Sequence, residues 1–492
     1  MVFRPPRESS AIYSPVDANA VHVGQRISEI RLRNEIRIIV IGAGVAGLSA
    51  ASHLKNNGFD NTIIVEATER FGGRIRSQYF GDVCCELGAK WIAIDTTKNS
   101  VYELIRQETS LQKKIHKNCK KMYINIQGGS VSQELPYVMN MLLKKFCSYM
   151  ELKNKHKEGI LNDLNNVHTY FQAEAKIIKP MLNYKEQNLA NGVISNLRNE
   201  FSSCMGCCVE CLSIENIAKM AINNTNSFYI PSGLENMLYR ITSNFDSKQV
   251  QLGKPVGFIN WFETSELHKR TVCCMDGSLF PADHIICTLP LGVLKNFSKH
   301  MFSPMLPNQK ISSIRNLGFG SPVKIFIEYE EYINSWFPMN VRPIWSLQDA
   351  SREWTWTNQI IEISHIPYSR RVLEILIGGP FFEEIEKLTD KEILHKMTKI
   401  LRTCLKNPFV PYPISVLRSF WSSSACFLGG KPYFSIGSTV KDIETLASPL
   451  GKSLILLFAG DATILDGFGT IDGARKSGLR EAERIIEYYN KK

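Results

Sequence analysis

The sequence predicts an α/β protein whose parallel sheet takes strands from both ends of the chain. An apolar, β-branched run at 36–41 leads directly into a glycine-rich turn and a helix-like stretch. A second apolar run, at 454–458, is followed by a glycine, an acid and a final helical pattern at about 470–489. Because 492 residues are too many for one hydrophobic core, we expect a second domain interleaved with the first.

The first strand and its turn carry the most specific pattern in the chain. The turn reads Gly42-Ala43-Gly44-Val45-Ala46-Gly47. Its first glycine permits a tight turn, the second lets a pyrophosphate approach the backbone, and the third lets the helix pack on its strand. Glu66 ends the next strand, 19 residues after Gly47, where it could accept a bond from a ribose hydroxyl. This spacing predicts a Rossmann-like dinucleotide site, with the pyrophosphate at the helix N-terminus.

The run that follows Glu66 extends this site. It contributes Ala67, Arg70, Gly73 and Arg74. The glycines offer further backbone donors and the arginines offer positive charge, which suits the same pyrophosphate. These residues alone leave NAD and FAD both possible.

Composition and charge exclude several classes of protein. Hydrophobic residues make up 44% and charged residues 21%, as in ordinary globular proteins. No apolar run approaches the roughly 18 residues that span a bilayer. The formal charge of +11 is moderate, and solvated helical faces explain the lysine clusters at 113–121 and 144–157 better than a nucleic-acid site does. Residues 1–35 lack a secretory core, so we expect a disordered leader and a cytoplasmic protein, with a nuclear location as the alternative.

The cysteines include a C-x2-C-C-x2-C pattern at Cys204, Cys207, Cys208 and Cys211. Residues 190–220 show a helical stripe, and on one helix the outer two cysteines would lie about 10.5 Å apart along the axis. That separation is too large for ligands of one zinc ion. We therefore predict a helical core stripe and no metal site, with a metal or redox cluster as the alternative.

Four separated segments together resemble the FAD-dependent amine oxidase family, most closely its polyamine oxidase branch. They are 36–76, 86–92, 318–325 and 458–481. The resemblance implies FAD as cofactor, a small-molecule amine as substrate, hydride transfer from a C–N unit to flavin N5, and reduction of O2 to H2O2. It also implies an FAD-binding domain from 36–99, 230–320 and 430–492, and an α+β substrate domain from 100–229 and 321–429. The alternatives are a flavin-binding protein with altered or lost catalysis, and an oxidase of monoamines or lysine side chains.

The resemblance also implies roles for individual residues. Lys324 matches the lysine that holds a water against flavin N5, and Trp421 matches an aromatic beside the flavin. A surface lysine at a strand end and a plain core tryptophan are the competing interpretations. Further residues match positions that contact the cofactor: Gly88, Ala89, Trp91, Val256, Gly460, Asp461, Thr470 and Ile471.

The chain departs from the family pattern at several positions. Ala93 stands where polyamine oxidases usually have a histidine, and Lys431 where a tyrosine usually faces the flavin, unless Tyr433 takes that place. Asp461 stands for a glutamate, a minor change. Gly430 occupies the position at which monoamine oxidases tether their flavin through cysteine, so we predict non-covalent FAD.

Overall fold

The structure is a computed structural model. It describes residues 33–93, 99–105, 112–113, 122–126, 131, 137, 141–142, 144–146, 148, 166–181, 184–214, 227–246, 248–262, 270–338, 340–345 and 355–491. The expectation of a disordered leader falls outside these residues, apart from 33–35, which are helical. Most of the two lysine clusters also lies outside them.

The strands are, in chain order, β1 (Ile38–Ile41), β2 (Thr62–Val65), β3 (Ser77–Phe80), β4 (Val83–Glu86), β5 (Ile92–Ala93), β6 (Gln112–Lys113), β7 (Met122–Asn125), β8 (Ser227–Tyr229), β9 (Val250–Gln251), β10 (Val256–Asn260), β11 (Thr271–Cys274), β12 (Leu279–Pro281), β13 (His284–Cys287), β14 (Phe302–Ser303), β15 (Gly318–Gly320), β16 (Lys324–Glu328), β17 (Val341–Ile344), β18 (Ile360–His365), β19 (Val372–Ile377), β20 (Ser415–Arg418), β21 (Lys431–Tyr433) and β22 (Leu456–Phe458).

The α-helices are α1 (Val45–Asn56), α2 (Ser100–Ile105), α3 (Val167–Ile178), α4 (Tyr184–Met205), α5 (Asn236–Ile241), α6 (Leu291–Met301), α7 (Asn308–Asn316), α8 (Phe382–Lys387), α9 (Asp390–Leu405), α10 (Val440–Ala447) and α11 (Ile471–Asn490). Short 3-10 turns occur at Lys179–Met181, Val209–Cys211, Ile333–Ser335 and Trp356–Gln359. Within the described residues, no helix is both long and apolar enough to cross a membrane.

A five-stranded parallel sheet joins the two ends of the chain, which confirms the predicted fold class. Its order is β22-β13-β1-β2-β9, and every neighbouring pair is parallel. All four residues of β1 are buried, as expected for a central strand with both faces covered. Helices α1 and α11 meet at Gly478, where a Cβ would lie 2.1 Å from the carbonyl oxygen of Ala46. This close packing brings the N-termini of α1 and α11 to the same end of the sheet.

A second, six-stranded sheet is built from the middle of the chain. Its order is β20-β16-β19-β18-β17-β7, antiparallel except for the β17–β7 pair. The apolar, β-branched runs at 323–329, 360–366 and 372–377 correspond to β16, β18 and β19. The two sheets thus draw on different segments, but the exact domain boundaries stay a prediction.

One element prediction was wrong. The helical stripe predicted over 190–220 ends with α4 at Met205, because Gly206 adopts a positive φ of +68°. A Cβ at Gly206 would lie 2.3 Å from the backbone nitrogen of Pro322, so only glycine fits this turn. Cys204 therefore lies on the helix, whereas Cys207, Cys208 and Cys211 follow it.

Candidate active site

The glycine turn between β1 and α1 has the geometry that a dinucleotide requires. A Cβ at Gly47 would lie only 2.0 Å from the carbonyl oxygen of Gly42, so α1 packs directly on the turn. Gly42 has a φ of +102°, which accounts for the tight turn. A Cβ at Gly44, by contrast, would meet nothing within 4 Å. Gly44 is the N-cap of α1, whose first N–H groups have no partner within the helix.

Glu66 is held in place at the carboxyl end of β2. One carboxylate oxygen accepts the backbone N–H of Ala43 at 2.7 Å, and the other accepts the N–H and hydroxyl of Thr68 at 3.0 and 2.7 Å. The carbonyl oxygen of Glu66 accepts the N–H of Lys254 at 2.7 Å. This bond brings the start of β10, with Val256, to the same edge of the sheet as Glu66 and Ala67.

The second pair of glycines closes over the first turn. The N–H of Gly72 donates to the carbonyl oxygen of Ala43 at 2.8 Å, and a Cβ at Gly73 would lie 3.3 Å from the Cα of Gly44. Arg70 donates to the carbonyl oxygens of Gly73 at 2.7 Å and Ile75 at 3.0 Å. In the structure Arg70 therefore holds its own loop, and its contact with a pyrophosphate stays a prediction.

Arg74 connects three distant parts of the chain. Its guanidinium forms a bidentate pair with Asp461, with N–O distances of 2.9 and 2.7 Å. The same group donates to the carbonyl oxygen of Gly430 at 2.9 Å. The carbonyl oxygen of Arg74 lies 1.8 Å from where a Cβ of Gly88 would be, and it accepts the N–H of Ala89 at 3.4 Å. Arg74 thus joins the loop that follows β2 to the C-terminal segment of the chain, which contains Gly430 and Asp461.

The segment from β22 to α11 repeats the pattern of an open glycine before a helix. Gly460 has a φ of +128°, and a Cβ there would meet nothing within 4 Å. Thr470 is the N-cap of α11 and accepts the N–H of Gly473 at 3.1 Å. Ile471 begins the helix and packs against the core around β1. Two open glycines, two helix N-termini and a fixed acid at a strand end together fit a dinucleotide such as FAD.

The two side chains predicted to be catalytic hold the same short segment. Lys324 begins β16, and its Nζ donates to the carbonyl oxygens of Glu86 at 2.9 Å and Gly88 at 2.6 Å. The indole Nε1 of Trp421 donates to the intervening carbonyl oxygen of Leu87 at 3.1 Å. Three successive carbonyl groups are therefore bound by two residues that lie far apart in sequence.

Trp421 is also part of the core. Its side chain is 6% exposed and its ring lies 5.1 Å from that of Phe427, edge to face. A Cβ at Gly88 would lie 3.3 Å from the indole ring. The structure thus places Trp421 beside Lys324, while contact with the flavin stays a prediction.

The ionisation of Lys324 is governed by its surroundings. Burial lowers the pKa of this ammonium to about 8, and the Glu374 carboxylate opposes that shift. Glu374 also forms an ion pair with Lys90, with an N–O distance of 2.5 Å. Burial would raise the pKa of Glu374, but the Lys90 and Lys324 ammonium groups lower it overall. We did not predict Lys90 and Glu374 as site residues, although a single acid in the apolar run of β19 was an available signal.

The residues that depart from the family pattern are placed as follows. Ala93 lies in β5, paired with Ser227 of β8. A Cβ at Gly469, just before α11, would lie 3.2 Å from the Cε of Lys431. Its Nζ has no hydrogen-bond or ion-pair partner among the residues that the structure describes. Trp91, which matches the family pattern, is 39% exposed, with its ring 5.5 Å from that of Tyr229.

Tyr433 lies elsewhere. Its ring packs where a side chain at Gly318 would be, and its hydroxyl hydrogen-bonds the thiol of Cys207. Lys431, and not Tyr433, is therefore the residue beside Gly469. The described part of the chain contains no cluster of three or more acidic, histidine or cysteine side chains that could hold a metal ion.

Comparison with known proteins identifies the family. The model of the flavin-containing amine oxidoreductases matches residues 45–486. Protein anon-37Cs of Drosophila melanogaster is 47% identical over 468 residues, covering 93% of this chain and 92% of that protein. The peroxisomal N(1)-acetyl-spermine/spermidine oxidase of Homo sapiens is 31% identical over 495 residues, covering 92% and 95%.

A solved structure has the same fold. Wild-type putrescine oxidase bound to putrescine superposes with a TM-score of 0.69 at 17% identity, covering 92% of this chain and 99% of that one. The glycine turns, the fixed Glu66 and the match over most of the chain agree with one another. The chain therefore belongs to the flavin-containing amine oxidoreductase family, and its cofactor is FAD.

Proposed function

We propose that this chain oxidises a polyamine-like secondary amine to an imine, with O2 reduced to H2O2. The observation that carries the proposal is the binding of residues 86–88 by Lys324 and Trp421, next to a site that fits FAD. When bound, FAD supplies the hydride acceptor and the route for two electrons to O2. The relative named as an oxidase of N(1)-acetyl-spermine and spermidine supports the substrate class.

The residues of the chain would bind, orient and handle protons. Two N–H groups of Lys324 are engaged by Glu86 and Gly88, so one position on Nζ remains for a water molecule. Below a pH of about 8 that position is a third N–H donor, and above it a lone pair that can accept a proton. Trp421 closes the buried side of this segment and excludes water from it. Arg74 holds the carbonyl group of Gly430, and its pair with Asp461 holds the segment that precedes α11.

The substrate class is tested by anaerobic mixing of the holoprotein with a panel of amines. We expect the flavin to bleach with spermine, spermidine or their acetylated forms, and more slowly with putrescine, simple monoamines and a methylated lysine peptide. In air the same amines should produce peroxide. Bleaching that is fastest with a monoamine or the lysine peptide would contradict the substrate class, and no bleaching with any amine would contradict the oxidase.

A second candidate is a flavin-binding protein with altered catalysis, and Lys431 favours it. An ammonium about 4 Å from a substrate ammonium costs about 4 kcal/mol at an effective dielectric constant near 20. We expect Lys431→Tyr to speed bleaching by cationic amines if this repulsion limits the wild type, while Lys441→Tyr at an exposed position has no effect. An unchanged rate in Lys431→Tyr would show that the ammonium does not oppose the substrate.

The attachment of FAD is tested separately. Because Gly430 stands at the tethering position, we expect acid precipitation to release all yellow colour into the supernatant. Gly430 is held by its own backbone, through an N–H bond to Gly320 at 2.6 Å and the carbonyl bond to Arg74. Burial raises the pKa of the nearby Cys426, which disfavours the reactive thiolate. A yellow pellet in the wild type, lost in Cys426→Ser, would contradict this expectation.

A further inference from the structure

The turn after α4 brings two cysteines together. Gly206 ends the helix, and the 3-10 turn Val209–Cys211 follows Cys208 directly. Residues three apart face the same side of such a turn, and Cys208 Sγ lies 3.1 Å from Cys211 Sγ. Both side chains are half-buried, so a small oxidant has access to them. A disulfide bond of about 2.05 Å requires the two sulfur atoms to approach by about 1 Å.

The cysteine turn, residues 206–213, is bonded to the segments that directly follow β15 and β21. The carbonyl oxygen of Gly206 accepts the N–H of Ser321 at 2.7 Å, three residues before Lys324. On the other side, the backbone carbonyl oxygen of Cys211 accepts the N–H of Ile436 at 3.2 Å, and that of Phe434 accepts the N–H of Ser213 at 3.0 Å. The cysteine turn thus contacts the segments that follow β15 and β21, one of which leads directly into Lys324 of the candidate site.

We propose that Cys208 and Cys211 form a redox modification site in which a hydroperoxide converts the two thiols into an intrachain disulfide. The Cys208 thiolate attacks one oxygen of H2O2, the O–O bond breaks, and hydroxide leaves to give a sulfenic acid. The Cys211 sulfur then attacks that sulfur, forms the S–S bond and releases water. Two thiols and one H2O2 become one disulfide and two waters. The source of the peroxide rests on the proposed function, but the chemistry of the dithiol does not.

The neighbouring groups assign the two roles. Burial and the hydrogen bond between the two sulfur atoms raise the pKa of Cys211 to about 12, so Cys211 stays protonated and is the resolving thiol. Burial also raises the pKa of Cys207, whose thiol is engaged with the Tyr433 hydroxyl. Cys204 is exposed on α4, before the turn, and provides a matched control.

The test treats reduced holoprotein with H2O2 in the absence of amine, followed by thiol alkylation and peptide mass mapping. We expect the peptide that contains residues 207–211 to lose about 2 Da, with Cys208 and Cys211 protected from alkylation until dithiothreitol is added. Cys204→Ser should behave as the wild type. Cys211→Ser should instead trap a sulfenic acid on Cys208, which dimedone labels.

Two results would overturn the proposal. One is full alkylation of Cys208 and Cys211 at a peroxide dose that oxidises Cys204, and the other is a disulfide that joins Cys208 to Cys207. A second arm replaces added peroxide by turnover of an amine, with and without catalase. If the disulfide forms with added peroxide while no amine bleaches the flavin, the dithiol site stands and the proposed oxidase fails.

Discussion

An alanine at Gly44 is expected to lower the affinity for FAD about a hundredfold, or about 3 kcal/mol, while the apoprotein keeps its stability. The reason is that a Cβ at this position meets no protein atom within 4 Å, so the fold tolerates it. The methyl group would instead occupy the space through which a pyrophosphate approaches the N–H groups of α1. Titration of apoprotein with FAD, followed by flavin fluorescence, measures the affinity, and thermal unfolding by circular dichroism measures the stability.

Gly47→Ala is the matched contrast. Its Cβ would lie 2.0 Å from the carbonyl oxygen of Gly42, so α1 must move away from the turn. Overpacking of this kind costs about 1–3 kcal/mol, and we expect both the unfolding temperature of the apoprotein and FAD binding to fall. If Gly44→Ala binds FAD as well as the wild type does, the pyrophosphate does not lie on this turn. Equal loss of apoprotein stability in both variants would mean that the effect on FAD is only structural.

The local half of the site could be predicted from the sequence. The turn from Gly42 to Gly47 and the acid at Glu66 follow from backbone rules that act over a few residues. Strands β16 and β19 of the six-stranded sheet could also be predicted, because they are short apolar runs with β-branched residues. At these positions the residue types that favour the local turn or strand are also those that the tertiary packing requires.

The other half depends on contacts between distant segments. The pair of Arg74 with Asp461 and that of Lys90 with Glu374 join residues 387 and 284 positions apart. No periodicity in the sequence encodes such pairs, because each is set by how segments far apart in the chain are placed in the fold. The sequence singled out Arg74 and Asp461 separately, but it could not show that they form a pair.

The cysteine turn shows a different limit. The apolar spacing around 190–220 favours one continuous helix, but Gly206 lies against Pro322, and this tertiary contact ends the helix. A glycine inside a helical stripe was the available signal. It could not be weighed without the position of Pro322, which comes from another part of the chain.

Lys324→Met is expected to slow flavin reduction by the best amine, or the reoxidation that follows, at least about a hundredfold, a typical loss for a positioned proton-transfer group. Methionine keeps much of the side-chain volume but cannot donate to Glu86 and Gly88 or bind a water. Stopped-flow absorbance separates the two half-reactions. Lys295→Met is a suitable control, because that lysine also bonds a backbone carbonyl, that of Arg315 at 2.8 Å, but lies on α6.

The pH dependence distinguishes a chemical role from a structural one. Burial lowers the pKa of Lys324 to about 8, so the ammonium predominates below that pH and the neutral amine above it. If the lone pair accepts a proton during the reaction, the rate should rise between pH 7 and pH 9 in the wild type, and this rise should be absent in Lys324→Met. The ionisation of the substrate amine affects both proteins equally, so the difference between their profiles isolates Lys324. A variant that is slower but keeps the same rise would show that Lys324 only holds residues 86–88 in place.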